Sequence, residues 1–256
     1  MCLIVFGYDT IPGYRLILAG NRDEFYDRPT RAADFWEQEP NLLAGKDLTA
    51  GGTWLGINKK GRVSFLTNYR DMSTHNQDAK SRGHLVRNYL TGDYTPYSYL
   101  KNLNSPNQYN GFNLFTGDHI SFYHFSNVTR KIEKIEPGIH GISNALLNTP
   151  WPKVKMAKDS FQKLIENGNL NEDHLFDLLT NKKTHPAEKL PETGLDPELE
   201  KAVSAIFIQT GNYGTRSSTL LFIKDSGDMR FVERVYEPGS DVIDQENRFE
   251  FSIGQV

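Results

Sequence analysis

One cysteine among 256 residues excludes an intramolecular disulfide and any cysteine-rich metal site. The chain also lacks a long basic run, and 29 lysines and arginines against 32 aspartates and glutamates leave a formal net charge of −3. Phosphate backbones are held by many clustered cations, so nucleic acid is excluded as the main partner. No apolar run approaches the roughly 20 residues of a membrane helix. The opening Leu3-Ile4-Val5-Phe6 has no basic segment before it and is too short for a secretion signal. The expectation is a cytoplasmic protein without stable membrane insertion. The seven histidines show no metal-ligand spacing, and no G-x-S-x-G nucleophile elbow is present. Neither a catalytic metal nor a resident cofactor is expected.

What is there is ordinary globular material. A hydrophobic fraction of 38% with 21 glycines argues against disorder, collagen and coiled coil. A chain of this length buries roughly 75% of the surface its unfolded form exposes, so one domain spanning residues 1–256 needs no staple. Two apolar runs, Cys2–Tyr8 and Tyr14–Gly20, flank a Pro12-Gly13 turn and read as antiparallel strands. Residues 53–58 and 62–68, split by Lys59-Lys60-Gly61, read as a hairpin. Ser81 is placed to cap a helix through Leu90. Strands are expected at 112–115, 120–125 and 139–142, then a helix opening at Pro152 and another capped by Asn171. Residues 182–200 read as an exposed loop, and 205–209, 218–224, 230–237 and 248–252 as strands. Strands, then helices, then strands fits two packed sheets with helices outside them.

The candidate chemistry starts at Cys2. Removal of Met1 would put a thiol and a free α-amine on one residue. The amine, with a pKa of about 7.7–8.0, accepts a proton near neutral pH, and the thiolate is the competent nucleophile. The bland alternative is an inert, buried second residue. Asn21-Arg22-Asp23-Glu24 ends the second strand, with Asn21 and Asp23 on one face and Arg22 and Glu24 on the other. A cation there would stabilise the Cys2 thiolate, and a carboxylate would orient its ammonium; otherwise the four are a solvated strand end. Asn68 and Asn144 end probable strands, and asparagine amides donate to a developing oxyanion, although turns are also rich in asparagine. Arg216 precedes an apolar strand. Gly51-Gly52-Thr53-Trp54-Leu55-Gly56 lacks the Lys-Ser/Thr of a phosphate loop and reads as a tight turn, with Trp54 packing or lining a pocket.

At Met1-Cys2, Asn21-Arg22-Asp23-Glu24, Gly51–Gly56, Thr67-Asn68-Tyr69, Tyr109–Asn113, Ser143-Asn144-Ala145 and Tyr213-Gly214-Thr215-Arg216, the sequence resembles the NRDE family, that of the Transport and Golgi organisation protein. That family is similar to the cysteine N-terminal nucleophile hydrolases. The resemblance implies an α+β, four-layer αββα sandwich with Cys2 as nucleophile. It implies Arg22 and Asp23 as the nucleophile's partners, Asn68 and Asn144 at the oxyanion and Arg216 as a late arginine. Asn21, Glu24, Trp54 and Tyr69 are the corresponding substrate-binding candidates. The hydrolase branch separates its arginine and aspartate by two residues, whereas Arg22 and Asp23 are adjacent, so a register with Asn21 and Glu24 in those roles stays open. The implied activity is amide hydrolysis or acyl transfer on a small molecule. The alternative is a non-catalytic carrier of haem, acyl-lipid or acyl-CoA, in keeping with the family's ties to haem trafficking, lipid metabolism and secretory organisation.

Overall fold

The computed structural model describes residues 2–253. In chain order the strands are β1 (Cys2–Ile11), β2 (Tyr14–Phe25), β3 (Thr30–Trp36), β4 (Glu39–Asp47), β5 (Leu55–Asn58) and β6 (Val63–Asn68). Helices α1 (Gly83–Thr91) and α2 (Pro96–Lys101) precede β7 (Phe112–Gly117), β8 (Phe122–Ser126), β9 (Lys131–Lys134) and β10 (Gly138–Ile142). Then come α3 (Pro152–Glu166), α4 (Glu172–Leu179), α5 (Pro197–Ala202), β11 (Tyr213–Lys224), β12 (Asp228–Tyr236) and β13 (Ile243–Ser252). The chain divides into two compact units, Met1–Asp27 with Pro137–Glu250, and Arg28–Glu136 with Phe251–Val256.

The first unit is built on a sheet of order β10-β1-β2-β11-β12-β13. Its β10–β1, β1–β2, β2–β11 and β11–β12 pairs are antiparallel. The β1–β2 turn needs only Pro12 and Gly13, with Gly13 at φ +80° supplying the left-handed backbone. Leu3, Val5, Ile17, Ala19, Leu220 and Phe222 face α3 and α4 through Val154, Ala157, Phe161, Leu175, Phe176 and Leu179. The alternate residues Ile4, Phe6, Leu18 and Leu221 are buried as well. Burial on both faces is why β1 reads as an unbroken apolar run rather than an alternating one. Pro152 opens α3 in the first turn, where a missing N–H costs nothing. Gly141 lets α3 approach, because a Cβ there would meet Val154 and Lys158. Asn171 caps α4, its side chain accepting from the His174 N–H at 3.0 Å.

Three local expectations are corrected here. Ser81 is not the cap of α1; Arg82 occupies that position without a side-chain cap bond. Residues 182–200 are not all loop, because Asp196 caps α5 by accepting from the N–H groups of Glu198 and Leu199. Residues 205–209 form no strand beyond one isolated bridge, Gln209 to Gly214. Their backbone partners come from elsewhere: Ile206 C=O accepts from Asn21, Ile208 N–H donates to Thr215 Oγ1, and Phe207 N–H donates to Asn181 C=O. A segment whose polar groups are satisfied in this way has no need of a ladder.

The second unit has a seven-stranded sheet, β3-β4-β5-β6-β7-β8-β9, antiparallel throughout. Leu42, Ala44, Leu66, Phe112, Leu114 and Phe125 pack on Leu85, Val86, Tyr89 and Leu90 of α1 and on Tyr99 and Leu100 of α2. Tyr89 and Tyr99 satisfy their hydroxyls on Gly117 C=O and Leu85 C=O, at 2.8 and 2.7 Å, so each buries its ring without stranding a polar tip. Trp54 lies over Gly45, whose backbone it would not reach past a side chain.

A buried polar row crosses β6, β7 and β8 of this unit. Asn113 Nδ2 donates to Thr67 Oγ1 at 3.2 Å, and its Oδ1 faces His124 Nε2 at 3.1 Å. Burial pushes His124 down to about 4, against the pull of Glu133 3.4 Å from its Nδ1. The unfolded imidazole titrates near 6.5, so the unfolded chain takes up the proton first. Stability is then complete above about pH 6.5 and is lost as pH falls toward 4, by on the order of 3 kcal/mol. Urea unfolding at pH 7 and pH 4.5 checks this. The His124→Gln variant should show a flatter pH dependence than the parent; parallel curves would assign the acid sensitivity elsewhere.

Candidate active site

Strand pairing builds the site. Cys2 of β1 lies directly opposite Arg22 of β2, and Arg22 lies opposite Ser217 of β11. Directly opposed residues share a sheet face, so Cys2, Arg22 and Ser217 form one cross-strand row. Asn21 and Asp23 point to the other face. There Asp23 Oδ1 accepts from Thr215 Oγ1 at 2.7 Å, and Asn21 meets the helical layer. The pairing thus puts Arg22, not Asn21, on the face of Cys2.

Each neighbouring element closes on the nucleophile's end of the sheet. Past the end of β10, Ser143 Oγ sits 2.9 Å from the Cys2 carbonyl oxygen and 3.2 Å from Asn144 Oδ1. Its one proton serves these acceptors in turn. Both residues are buried. Asn148 holds this corner. Its Oδ1 accepts from Gly141 N–H at 3.0 Å and Lys158 Nζ at 2.9 Å, while its own N–H donates to Gly141 C=O at 2.8 Å. Tyr213, buried on β11, donates to Asp23 C=O at 3.0 Å. Arg216 is the extra residue where the β2–β11 register shifts, and its Nη1 donates to the carbonyls of Phe25 and Tyr26 at 3.0 and 2.9 Å. Glu24 Oε2 lies 4.0 Å from Arg22 Nη2.

The electrostatics are those of charge taken out of water. Burial pushes the Cys2 thiol up; Asp23 adds to this, and Arg22 opposes it. Burial likewise raises Asp23, with Lys153, the Thr215 hydroxyl and Arg22 pulling it back. Burial and the neighbouring Arg22 cation lower Arg216. Lys153, 2% exposed, is a buried cation that no motif flagged. Its Nζ donates to Val203 C=O at 2.9 Å. Thr215, Ser143 and Ser217 were also unassigned, although Thr215 and Ser143 lie inside quoted motifs.

A carboxyl raised by burial opposes folding once it ionises. The contribution of Asp23 is most favourable below its unfolded pKa of about 3.9 and is lost as pH rises through its higher folded value. Asp23→Asn keeps an acceptor for Thr215 and should melt above the parent at neutral pH, with the gap closing as pH falls toward about 4. A variant that melts lower at pH 7.5 would show that the carboxylate is needed for the fold.

Of the residues expected at the site, Cys2, Asn21, Arg22, Asp23, Glu24, Asn144 and Arg216 all belong to the first unit. Asn21 is committed to other partners: its Nδ2 donates to Leu179 C=O at 2.8 Å and Ile206 C=O at 2.9 Å. Asn68, Trp54 and Tyr69 belong to the second unit, Asn68 as the last residue of β6, paired with Phe112. Among the described residues, no three His, Cys, Asp or Glu side chains gather to hold a metal ion, and no helix is long and apolar enough to cross a membrane.

The sequence profile of the family described as Transport and Golgi organisation 2 matches residues 1–238. A Bos taurus Transport and Golgi organization protein 2 homolog is 38% identical, covering 91% of this chain and 92% of its own. A Mus musculus homolog is 35% identical over 99% of both chains, and the Drosophila melanogaster protein 30% identical over 91% of both. Two crystal structures of variants of conjugated bile acid hydrolase from Clostridium perfringens share the fold. One has a TM-score of 0.54 at 10% identity, covering 96% of this chain and 92% of that one; the other has 0.52 at 10%, covering 97% and 92%. The chain therefore has the fold of conjugated bile acid hydrolase.

Proposed function

The chain belongs to the Transport and Golgi organisation 2 family, and on that footing we propose that it is a cysteine amide hydrolase or acyltransferase acting on a small molecule. The observation that carries the reading is the direct pairing of Cys2 with buried Arg22, beside buried Asp23 and with Ser143 on the Cys2 carbonyl. Once hydrolysis removes Met1, the Cys2 α-amine is free. A raised thiol pKa means that the thiol is neutral at rest, so a base is needed at the moment of attack. The neutral amine takes the thiol proton as sulfur bonds to the substrate carbonyl carbon. The oxyanion accepts from Asn144 Nδ2. Collapse breaks the carbon–nitrogen bond, and the ammonium returns its proton to the departing amine, leaving a thioester on Cys2. Water, or another acceptor, then attacks the thioester, losing its proton to the same amine, and the sulfur leaves and is reprotonated. Arg22 steadies sulfur as it gains charge, and Asp23 orients the ammonium.

Intact-mass measurement followed by labelling with an electrophilic acyl probe tests this. The expected result is a chain one methionine lighter, carrying label on Cys2. Retained Met1, or equal labelling of the parent and Cys2→Ala, would overturn it.

A further inference from the structure

Ser217 completes the row begun by Cys2 and Arg22, and the reaction as written makes no use of it. It is 4% exposed, and its Oγ has no hydrogen-bond partner among the described residues. Its neighbours on the same strand are satisfied: Thr215 bonds Asp23, and Ser218 Oγ donates to Asn21 Oδ1 at 2.6 Å. Those two face the helical layer. Arg216 bulges out between Thr215 and Ser217, so the pairing of Ser217 with Arg22 and its alternation with Ser218 turn Ser217 to the face of Cys2. An unpartnered buried hydroxyl costs stability, and alanine would fit the same space without that cost. A side chain that opposes the fold in this way, one strand beyond a buried guanidinium and two beyond the nucleophile, is suited to a ligand.

We propose that Ser217 and Arg22 together bind an anionic substituent, a carboxylate in the simplest case, carried by the acyl substrate of Cys2. The inference rests on Cys2 being the reacting residue. Strands lie about 4.8 Å apart, so the Ser217 backbone is roughly 10 Å from that of Cys2 with Arg22 between. A carboxylate about four bonds from the atom that meets sulfur falls within this interval. The guanidinium supplies charge and a planar pair of donors, and the hydroxyl supplies one more donor to an oxygen of the same group. Arg216, adjacent to Ser217 and close enough to Arg22 for that cation to help lower it, adds positive potential at the same place. The arrangement selects a substrate that brings negative charge.

The test compares two thiol-directed probes that differ in that charge alone, N-iodoacetylglycine and N-iodoacetylglycinamide, as rates of Cys2 alkylation at pH 8.5 and low ionic strength. The parent should favour the charged probe by about fivefold or more. Ser217→Ala should bring that ratio down by about three- to tenfold while melting at or above the parent temperature. Arg22→Gln should abolish the preference. Equal rates for the two probes in the parent, an unchanged ratio in Ser217→Ala, or a Ser217→Ala variant that melts well below the parent would overturn the inference. Alkylation requires neither Met1 removal nor turnover. A protein that fails to hydrolyse amides can therefore still show the preference, and a competent hydrolase without the preference defeats this inference alone.

Discussion

Cys2→Ala should abolish acyl-probe labelling and lower amide hydrolysis by about a thousandfold or more, because no other side chain can form the thioester. The Cys2→Ser variant should keep the fold and most ligand affinity while losing nearly as much rate, since a hydroxyl is a far weaker nucleophile at the same position. Titration gives a sharper check than the rate alone. With its thiol pushed up by burial and by Asp23, Cys2 should alkylate with iodoacetamide at pH 7 more slowly than free cysteine. The rate should climb about tenfold per pH unit beyond pH 8.5. Acylation should rise earlier, near the α-amine value of about 7.7–8.0, because the amine takes the proton during attack. An alkylation rate already flat below pH 7 would mean a preformed thiolate, and the amine would then not be the base. Arg22→Gln should push the alkylation curve further up, since it removes a cation that favours the thiolate.

The largest expected effect on stability is at Asn21. Four groups depend on its amide. Tyr236 donates to Ser218 Oγ at 3.0 Å, Ser218 donates to Asn21 Oδ1, and Asn21 Nδ2 spends both protons on the carbonyls of Leu179 and Ile206. The amide joins β2 to the end of α4 and to the buried 203–208 segment. Asn21→Leu leaves two buried carbonyls and one hydroxyl without it and should cost about 3–5 kcal/mol in equilibrium unfolding. Asn21→Asp should cost at least as much, because a carboxylate facing two carbonyl oxygens has nothing to donate. Ser218→Ala, which removes one bond and leaves the amide in place, should cost about 1 kcal/mol. A loss below about 1 kcal/mol in Asn21→Leu would mean that water replaces the amide, and the tie would be of no consequence.

The Asn21-Arg22-Asp23-Glu24 stretch shows how far a linear reading reaches. Period-two alternation split it into two faces, and the Pro12-Gly13 turn paired it with the strand of Cys2. Both are local rules, and both hold in β1 and β2. Which face belonged to Cys2 was open, because the register depends on where the turn begins. A two-residue turn pairs Ile11 with Tyr14 and by itself would bring Asp23 opposite Cys2; the bulge between Tyr8 and Ile11 shifts the pairing by one residue and sets Arg22 opposite the thiol. Pro152 and Asn171 were legible for the same local reason: a first-turn proline and an asparagine cap act within a few residues of themselves. Strands β3, β4 and β9 went unread, their half-exposed segments being mixed with charge and carrying little alternation.

The remaining features depend on partners far away in the chain. Asn21 meets Leu179 across 158 positions and Ile206 across 185, and no pattern near either residue announces the contact. Residues 205–209 have strand composition, yet their backbone is satisfied by Asn21, Thr215 and Asn181, so no ladder forms. Lys153, in the first turn of α3, is buried with its ammonium on Val203, and nothing beside it in the chain marks that. Ser217 differs from Ser218 by one position and by the whole question of having a partner. Period and turn chemistry are properties of neighbouring residues. Whether a buried polar atom is satisfied is a property of the complete three-dimensional packing, and for this chain that property separates the residues that hold the fold from those left for a ligand.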